Sequence, residues 1–187
     1  MAEIRAFLFD LDGTLVDTRE SNYLAYRDAF LDAGYDLTRE VFATTWGKDS
    51  REFIVDLLPR ATPADVLRIR NRKAEVYEAH LPQSRLNTGL VELVRHARDH
   101  VRTALVTTAK RLNVEQTLRT HGIAHLFEVI VNGDDVIRPK PHPEAYLLAL
   151  QTLRLDASQG LAFEDSGPGV AAAAAAGLDV VKVDFDA

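Results

Sequence analysis

The sequence predicts an α/β protein with a doubly wound parallel sheet and a small all-helical domain inserted after the first strand. Three observations carry this. Residues 4–9 (IRAFLF) form a mostly apolar, aromatic-rich run that stops at Asp-Leu-Asp-Gly-Thr, the pattern of a strand buried on both faces and ended by a polar loop. Comparable runs recur at 101–106, 128–131, 160–163 and 179–183, with helix-length amphipathic stretches such as 112–121 and 143–153 between them. Between residues 18 and 86 the strand signal disappears and only helical spacing remains.

Taken in order, the first run supplies a central strand, and the chain then enters the insert. There Leu24, Ala25, Phe30 and Leu31 space as one helical face, and Val66, Ile69, Lys73, Val76 and Tyr77 as another. Turns at Gly34, Gly47 and Pro59 divide the insert into roughly four short helices, with Pro63 at a helix start and Pro82 closing the last. The expected division is therefore an α/β core of residues 1–17 and 87–187 and a helical insert of residues 18–86. The six alanines at 171–176 are small enough to let a helix pack closely on the sheet.

Composition narrows the chemistry. The chain has 187 residues, 47% of them hydrophobic, enough to bury a core and too few for more than one full domain with an appendage. Its net charge of −6 gives no basic field for a nucleic acid. The absence of cysteine excludes disulfides, thiolate metal sites and cysteine nucleophiles, leaving oxygen and nitrogen ligands. No run resembles a targeting segment or a membrane span, so a cytoplasmic protein without a membrane partner is expected.

The polar residues collect where strands end. Asp10 and Asp12, followed by Gly13 and Thr14, leave the carboxyl end of the first strand, the edge at which open parallel sheets bind ligands. One aspartate can attack and the other can carry a proton. A calcium loop would place glycine sixth; here it is fourth. After the second strand, Thr107-Thr108-Ala109-Lys110 offers hydroxyls and backbone N–H groups to a phosphoryl group, although Thr107 could equally cap the next helix. Arg138-Pro139-Lys140-Pro141 presents a lysine in a stiff loop, and Glu164-Asp165 adds an acid pair at a further strand end. Acids gathered in one crevice repel unless a cation lies between them, and an all-oxygen donor set favours Mg²⁺.

On these residues the sequence resembles the haloacid dehalogenase-like hydrolase superfamily, in its phosphatase and phosphomutase branch with a small helical cap (phosphoglycolate phosphatase and β-phosphoglucomutase-like proteins). The matching pieces are Phe7-Leu8-Phe9-Asp10-Leu11-Asp12-Gly13-Thr14-Leu15-Val16-Asp17, Leu105-Val106-Thr107-Thr108, the segment from Lys140-Pro141-His142-Pro143 to Glu144-Ala145-Tyr146, and Phe163-Glu164-Asp165-Ser166 with Gly169 and Ala176-Gly177. The resemblance implies a Rossmann-like core. It makes Asp10 the nucleophile that forms an aspartyl phosphate, and Asp12 the acid that protonates the leaving oxygen and then activates water. Thr107 and Lys140 would be catalytic contacts to the phosphoryl oxygens, aided by Thr108 and by the backbone amides from Leu11 to Gly13. Mg²⁺ would be held by Asp10, Asp12 through its carbonyl, Glu164 and Asp165.

An acid at position 12 separates the chain from the dehalogenase and phosphonatase branches, so a small phosphorylated metabolite is the implied partner: phosphoglycolate, a sugar phosphate or a nucleotide monophosphate. The cap would close over the ester, with Lys48 and Arg51 in the 47–51 turn and Lys73 and Tyr77 on a helix as its substrate contacts. Mutase relatives carry histidine where this chain has Asn22, which favours hydrolysis over phosphoryl exchange. A phosphomutase and a non-catalytic metabolite sensor remain the alternatives. Relatives also continue through a further strand and helix beyond the point reached here at residues 179–187, implying a short sheet edge, an edge covered by a partner, or a truncated chain.

Overall fold

The computed structural model describes residues 3–46 and 48–185. The chain divides into two compact units, residues 1–17 with 85–187 and residues 18–84. In chain order the elements are β1 (Ala6–Phe9), β2 (Val16–Asp17), α1 (Arg19–Asp32), α2 (Arg39–Ala43), α3 (Ser50–Leu57), α4 (Pro63–His80), β3 (Arg85–Leu86) and α5 (Thr88–Ala97). They continue with β4 (Arg102–Val106), α6 (Arg111–His121), β5 (Val129–Val131), α7 (Glu144–Leu153), β6 (Gly160–Glu164), α8 (Gly167–Ala175) and β7 (Asp179–Lys182).

The larger unit is a five-stranded sheet in the order β5-β4-β1-β6-β7, with every neighbouring pair parallel. The doubly wound α/β fold expected from the alternating runs is the one observed. Strand alternation sends Ala6 and Leu8 to one face, where they join Ala104 and Val106 under the buried residues of α7 and α8. Phe9 goes to the other face, among Leu105, Val91 and Val94 of α5, and Val114 and Leu118 of α6. Ala172, Ala173 and Ala176 lie in the first of these layers, where the absence of bulk lets α8 approach the sheet. Because β1 pairs with β4 on one side and β6 on the other, its carboxyl end is the switch point of the winding.

A short antiparallel pairing of β2 with β3 was not legible in the sequence. Asp17 lies opposite Arg85 in this ribbon, and the Arg85 guanidinium reaches the Asp17 carboxylate at 2.8 Å. Residues 85 and 86 therefore group with the larger unit, the division between the two units falling after residue 84.

The smaller unit is helical among its described residues. α4 starts at a complete capping box, in which Thr62 and Asp65 satisfy each other's backbone N–H groups and Pro63 occupies the first turn. Its buried residues are Val66, Ile69, Lys73 and Tyr77, with Val76 only partly covered. The face expected for α1 is corrected: Leu31 is 64% exposed, and the buried stripe is Ser21, Ala25 and Ala29 with Phe30. Small residues four apart let α1 and α4 pack closely, and a count of large apolar side chains overlooks such a stripe. Gly34 makes its turn at φ +84°. The turn expected at Gly47 lies outside the described residues. Among the described residues, no helix is long and apolar enough to cross a membrane.

Candidate active site

Four strand ends of the core meet at the switch point. Asp10 follows β1 directly, and its N–H donates to Phe163 O of β6 at 3.0 Å, which fixes the residue against the neighbouring strand. Glu164 closes β6, and Asp165 follows it. Lys140 enters from the loop after β5 and donates to three oxygens: Asp10 Oδ1 at 2.7 Å, Val106 O at 2.8 Å and Glu164 Oε1 at 2.5 Å. The structure thus brings Asp10, Lys140 and Glu164, 130 residues apart at the first contact, into one buried cluster.

Like charges crowd in this cluster. Carboxylate oxygens of Asp10, Glu164 and Asp165 lie within 4.8 Å of one another, and the Lys140 ammonium contacts two of the three. Burial, reinforced by the Asp10 charge, pushes the Glu164 carboxyl up to about 7 against the pull of Lys140 and Tyr146. Burial also works against the Lys140 ammonium, but Asp10 and Glu164 outweigh it and hold the lysine above its ordinary value.

The donor set suits a hard divalent cation: three carboxylates, no histidine, and a backbone shaped around them. A Cβ on Gly13, which sits at φ +95°, would stand 2.2 Å from Asp165 Oδ2, so the chain approaches the carboxylate as only glycine can. Likewise a Cβ on Gly169 would lie 1.9 Å from Glu164 Oε2. Asp12 stands outside the carboxylate cluster; it is half-buried, and its backbone bridges to Val16.

The turn after β1 spends some of the amides expected to meet a phosphate. Gly13 N–H donates to Val16 O at 2.8 Å, so that amide closes the turn, and Leu11 O accepts from Leu15 and Val16. Thr107 is buried, and its Oγ1 accepts from Ala109 N–H at 3.0 Å; it turns its own loop and does not cap α6, whose N-cap is Lys110. Thr108 is exposed beside it.

The four expected cap contacts all lie in the smaller unit. Lys48 and Arg51 are exposed before and within α3, where Arg51 pairs with the N-cap Asp49 at 3.0 Å. Lys73 is buried with its ammonium 3.8 Å from the Tyr77 ring centroid and 5.4 Å from that of Tyr26. Tyr77 packs with Ala25 and Leu81.

The sequence reading assigned no role to several residues that shape the site. Tyr146 donates its hydroxyl to Glu164 Oε1, and Thr14 Oγ1 donates to Asp165 Oδ1 at 3.4 Å. Glu144 accepts Ile137 N–H at 2.8 Å and Arg138 Nε at 3.0 Å, tying down the loop that presents Lys140. Glu144 and Tyr146 sit four and six residues from Lys140 in the same motif region, a spacing that places them on the first turn of α7 without saying which way they reach.

A parallel sheet whose central strand ends in this acid and lysine cluster defines a hydrolase of the haloacid dehalogenase type. The model of the haloacid dehalogenase-like hydrolase family matches residues 7–183, and the chain belongs to that family. It is an enzyme of the phosphatase kind, the activity that several of its relatives are named for. Protein CbbY of Rhodobacter capsulatus is 34% identical, the match covering 96% of this chain and 85% of the relative. The phosphorylated carbohydrates phosphatase of Thermotoga maritima is 31% identical over 94% of this chain and 83% of its own. Among solved structures, CbbY from Rhodobacter sphaeroides in complex with phosphate superposes with a TM-score of 0.86 at 32% identity, covering 97% of this chain and 88% of that one.

Proposed function

We propose that the chain is a Mg²⁺-dependent phosphatase of phosphorylated sugars that works through an aspartyl phosphate on Asp10. The observation that carries this is the Asp10–Lys140–Glu164 cluster with Asp165 beside it: a buried nucleophile held by an ammonium, with two further carboxylates within 4.8 Å. The sugar-phosphate class rests on the named activity of the Thermotoga maritima relative.

In this reading an Asp10 carboxylate oxygen attacks the phosphorus of the ester while Asp12 delivers a proton to the departing sugar oxygen. The bond to the sugar breaks as the bond to Asp10 forms. Asp12, now ionised, takes a proton from water, which attacks the phosphorus and frees Asp10 with inorganic phosphate. Lys140 offsets charge on the equatorial oxygens, and the Thr107 hydroxyl, its oxygen already fixed by Ala109 N–H, turns its hydrogen to them. Asp10, Glu164, Asp165 and the Asp12 carbonyl would hold Mg²⁺, which supplies charge neutralisation for a phosphate dianion approaching acids. Lys48, Arg51, Lys73 and Tyr77 are the proposed cap contacts, and the cytoplasm is the proposed location.

The test is phosphate release from a panel of sugar phosphates, phosphoglycolate and nucleotide monophosphates, with and without Mg²⁺. Wild type should release phosphate fastest from a sugar phosphate and only with metal, and Asp10→Asn should be inactive yet folded. Metal-dependent turnover by Asp10→Asn would overturn the nucleophile assignment.

A further inference from the structure

The loop after β5 does more than carry Lys140, because its first residues are stitched to the Thr107–Thr108 loop. Thr107 N–H donates to Val131 O at 2.9 Å, and Gly133 N–H donates to Ala109 O at 2.8 Å. Gly133 lies so close that a Cβ there would stand 2.3 Å from Thr108 O. One residue further, the Asp134 carboxylate accepts Arg111 N–H at 3.0 Å. Arg111 is the first residue of α6, and the Lys110 N-cap makes no side-chain cap bond. A helix start leaves its first N–H groups without intrahelical partners, and a carboxylate there gains from the helix dipole as well as from the hydrogen bond. Asp134 supplies from another strand's loop what Lys110, a donor without an acceptor, cannot supply from its own.

The carboxylate is itself aimed. Asn132, which is buried, accepts Asp134 N–H on Oδ1 at 2.9 Å, and Asp135 Oδ2 accepts Asn132 N–H at 2.9 Å. Asp135 also pairs with the Arg111 guanidinium at 2.5 Å. Residues 107–111 and 131–135 therefore form one braced assembly, and the second of these segments runs on to Lys140.

The geometry points to Asp134 as a positioning residue of the phosphoryl pocket: by capping α6 across the two loops it sets Thr107 and Thr108 in register with Lys140. The inference rests on the phosphate-binding role proposed above for those residues. Asp134 touches no substrate in this account. Its effect is geometric, and a misplacement of about 1 Å at such contacts costs roughly 100-fold in rate.

The test compares wild type, Asp134→Ala and Asp134→Asn in saturating Mg²⁺, using inorganic phosphate as competitive inhibitor and a sugar phosphate as substrate, with thermal midpoints recorded alongside. Asp134→Ala should raise the phosphate inhibition constant and KM together by roughly 10-fold or more. Asp134→Asn, which keeps an acceptor oxygen, should recover most of the loss. Gly133→Ala, which forces the same loops apart, should raise the same two constants and serves if Asp134→Ala does not fold. A lowered midpoint in Asp134→Ala with an unchanged phosphate constant would make Asp134 merely structural and overturn the inference, as would an Asn variant no better than Ala. If wild type itself released no phosphate from any ester, the proposed function would fall first; if wild type is active and the Asp134 variants bind phosphate as it does, the inference falls alone.

Discussion

Tyr146 donates its hydroxyl to Glu164 Oε1 at 2.6 Å, the same oxygen that Lys140 reaches at 2.5 Å. Two donors on one carboxylate oxygen fix the rotation of the group and turn Oε2 towards Gly169 and the Ser166 hydroxyl. A phenylalanine at this position keeps the ring and its packing and removes only one buried donor. Tyr146→Phe should therefore lose about 1–3 kcal/mol of stability in urea denaturation, the scale of a hydrogen bond to a charged group. It should also bind Mg²⁺ more weakly in calorimetric titration. An unchanged midpoint and unchanged metal affinity would show that Lys140 alone fixes Glu164.

Metal-free protein should respond to pH through Glu164. Its carboxyl stands at about 7 in the folded chain against an ordinary 4.5. Between those values the folded state holds a proton that the unfolded state has released, so stability falls as pH rises from about 4.5 to about 7 and levels off above. Lys140 is raised above its ordinary 10.5, and its contribution is complete throughout that window. Thermal midpoints in chelator, taken as the difference between wild type and Glu164→Gln, isolate the effect. Mg²⁺ should remove it, because a metal competes with the proton for the same carboxylate and so stabilises more at pH 8 than at pH 5. A difference that rises with pH would contradict the assignment.

Gly13→Ala tests the close approach of backbone to acid. The methyl would meet Asp165 Oδ2 at 2.2 Å in a backbone held at φ +95°, so both strain and displacement fall on one side of the carboxylate cluster. Turnover should drop by two orders of magnitude or so, accompanied by weaker Mg²⁺ binding in calorimetry. Wild-type metal affinity in this variant would mean that Asp165 is free to move aside and is not shaped by the turn.

The core was legible because its signals are local. Apolar runs ending in acids mark β1 and β6, and their spacing from the helical stretches is enough to give a doubly wound sheet. The Lys140 loop was readable as stiff from its prolines. What escaped the sequence was pairing across distance: Asp134 reaches a helix that starts 23 residues earlier, and Tyr146 reaches a strand end 18 residues later. Hydrogen-bond partners of this kind follow from tertiary placement and leave no periodic trace. On α1 the reading found Ala25 and Phe30, but Ser21 and Ala29 were missed for a different reason. These two contribute by being small, and hydrophobic spacing weighs residues by what they add.

The ribbon of β2 and β3 ties the chain's exit from the core at Asp17 to its return at Arg85, side by side on adjacent strands. Seen from the sheet, the whole excursion of residues 18–84 is equivalent to the loop of a hairpin. A segment joined to its host through one two-rung splice can lengthen, shrink or be exchanged without moving any catalytic strand. The strands that place Asp10, Lys140 and Glu164 can thus stay as they are while the inserted segment is revised, as a motor stays the same when a tool takes a new bit.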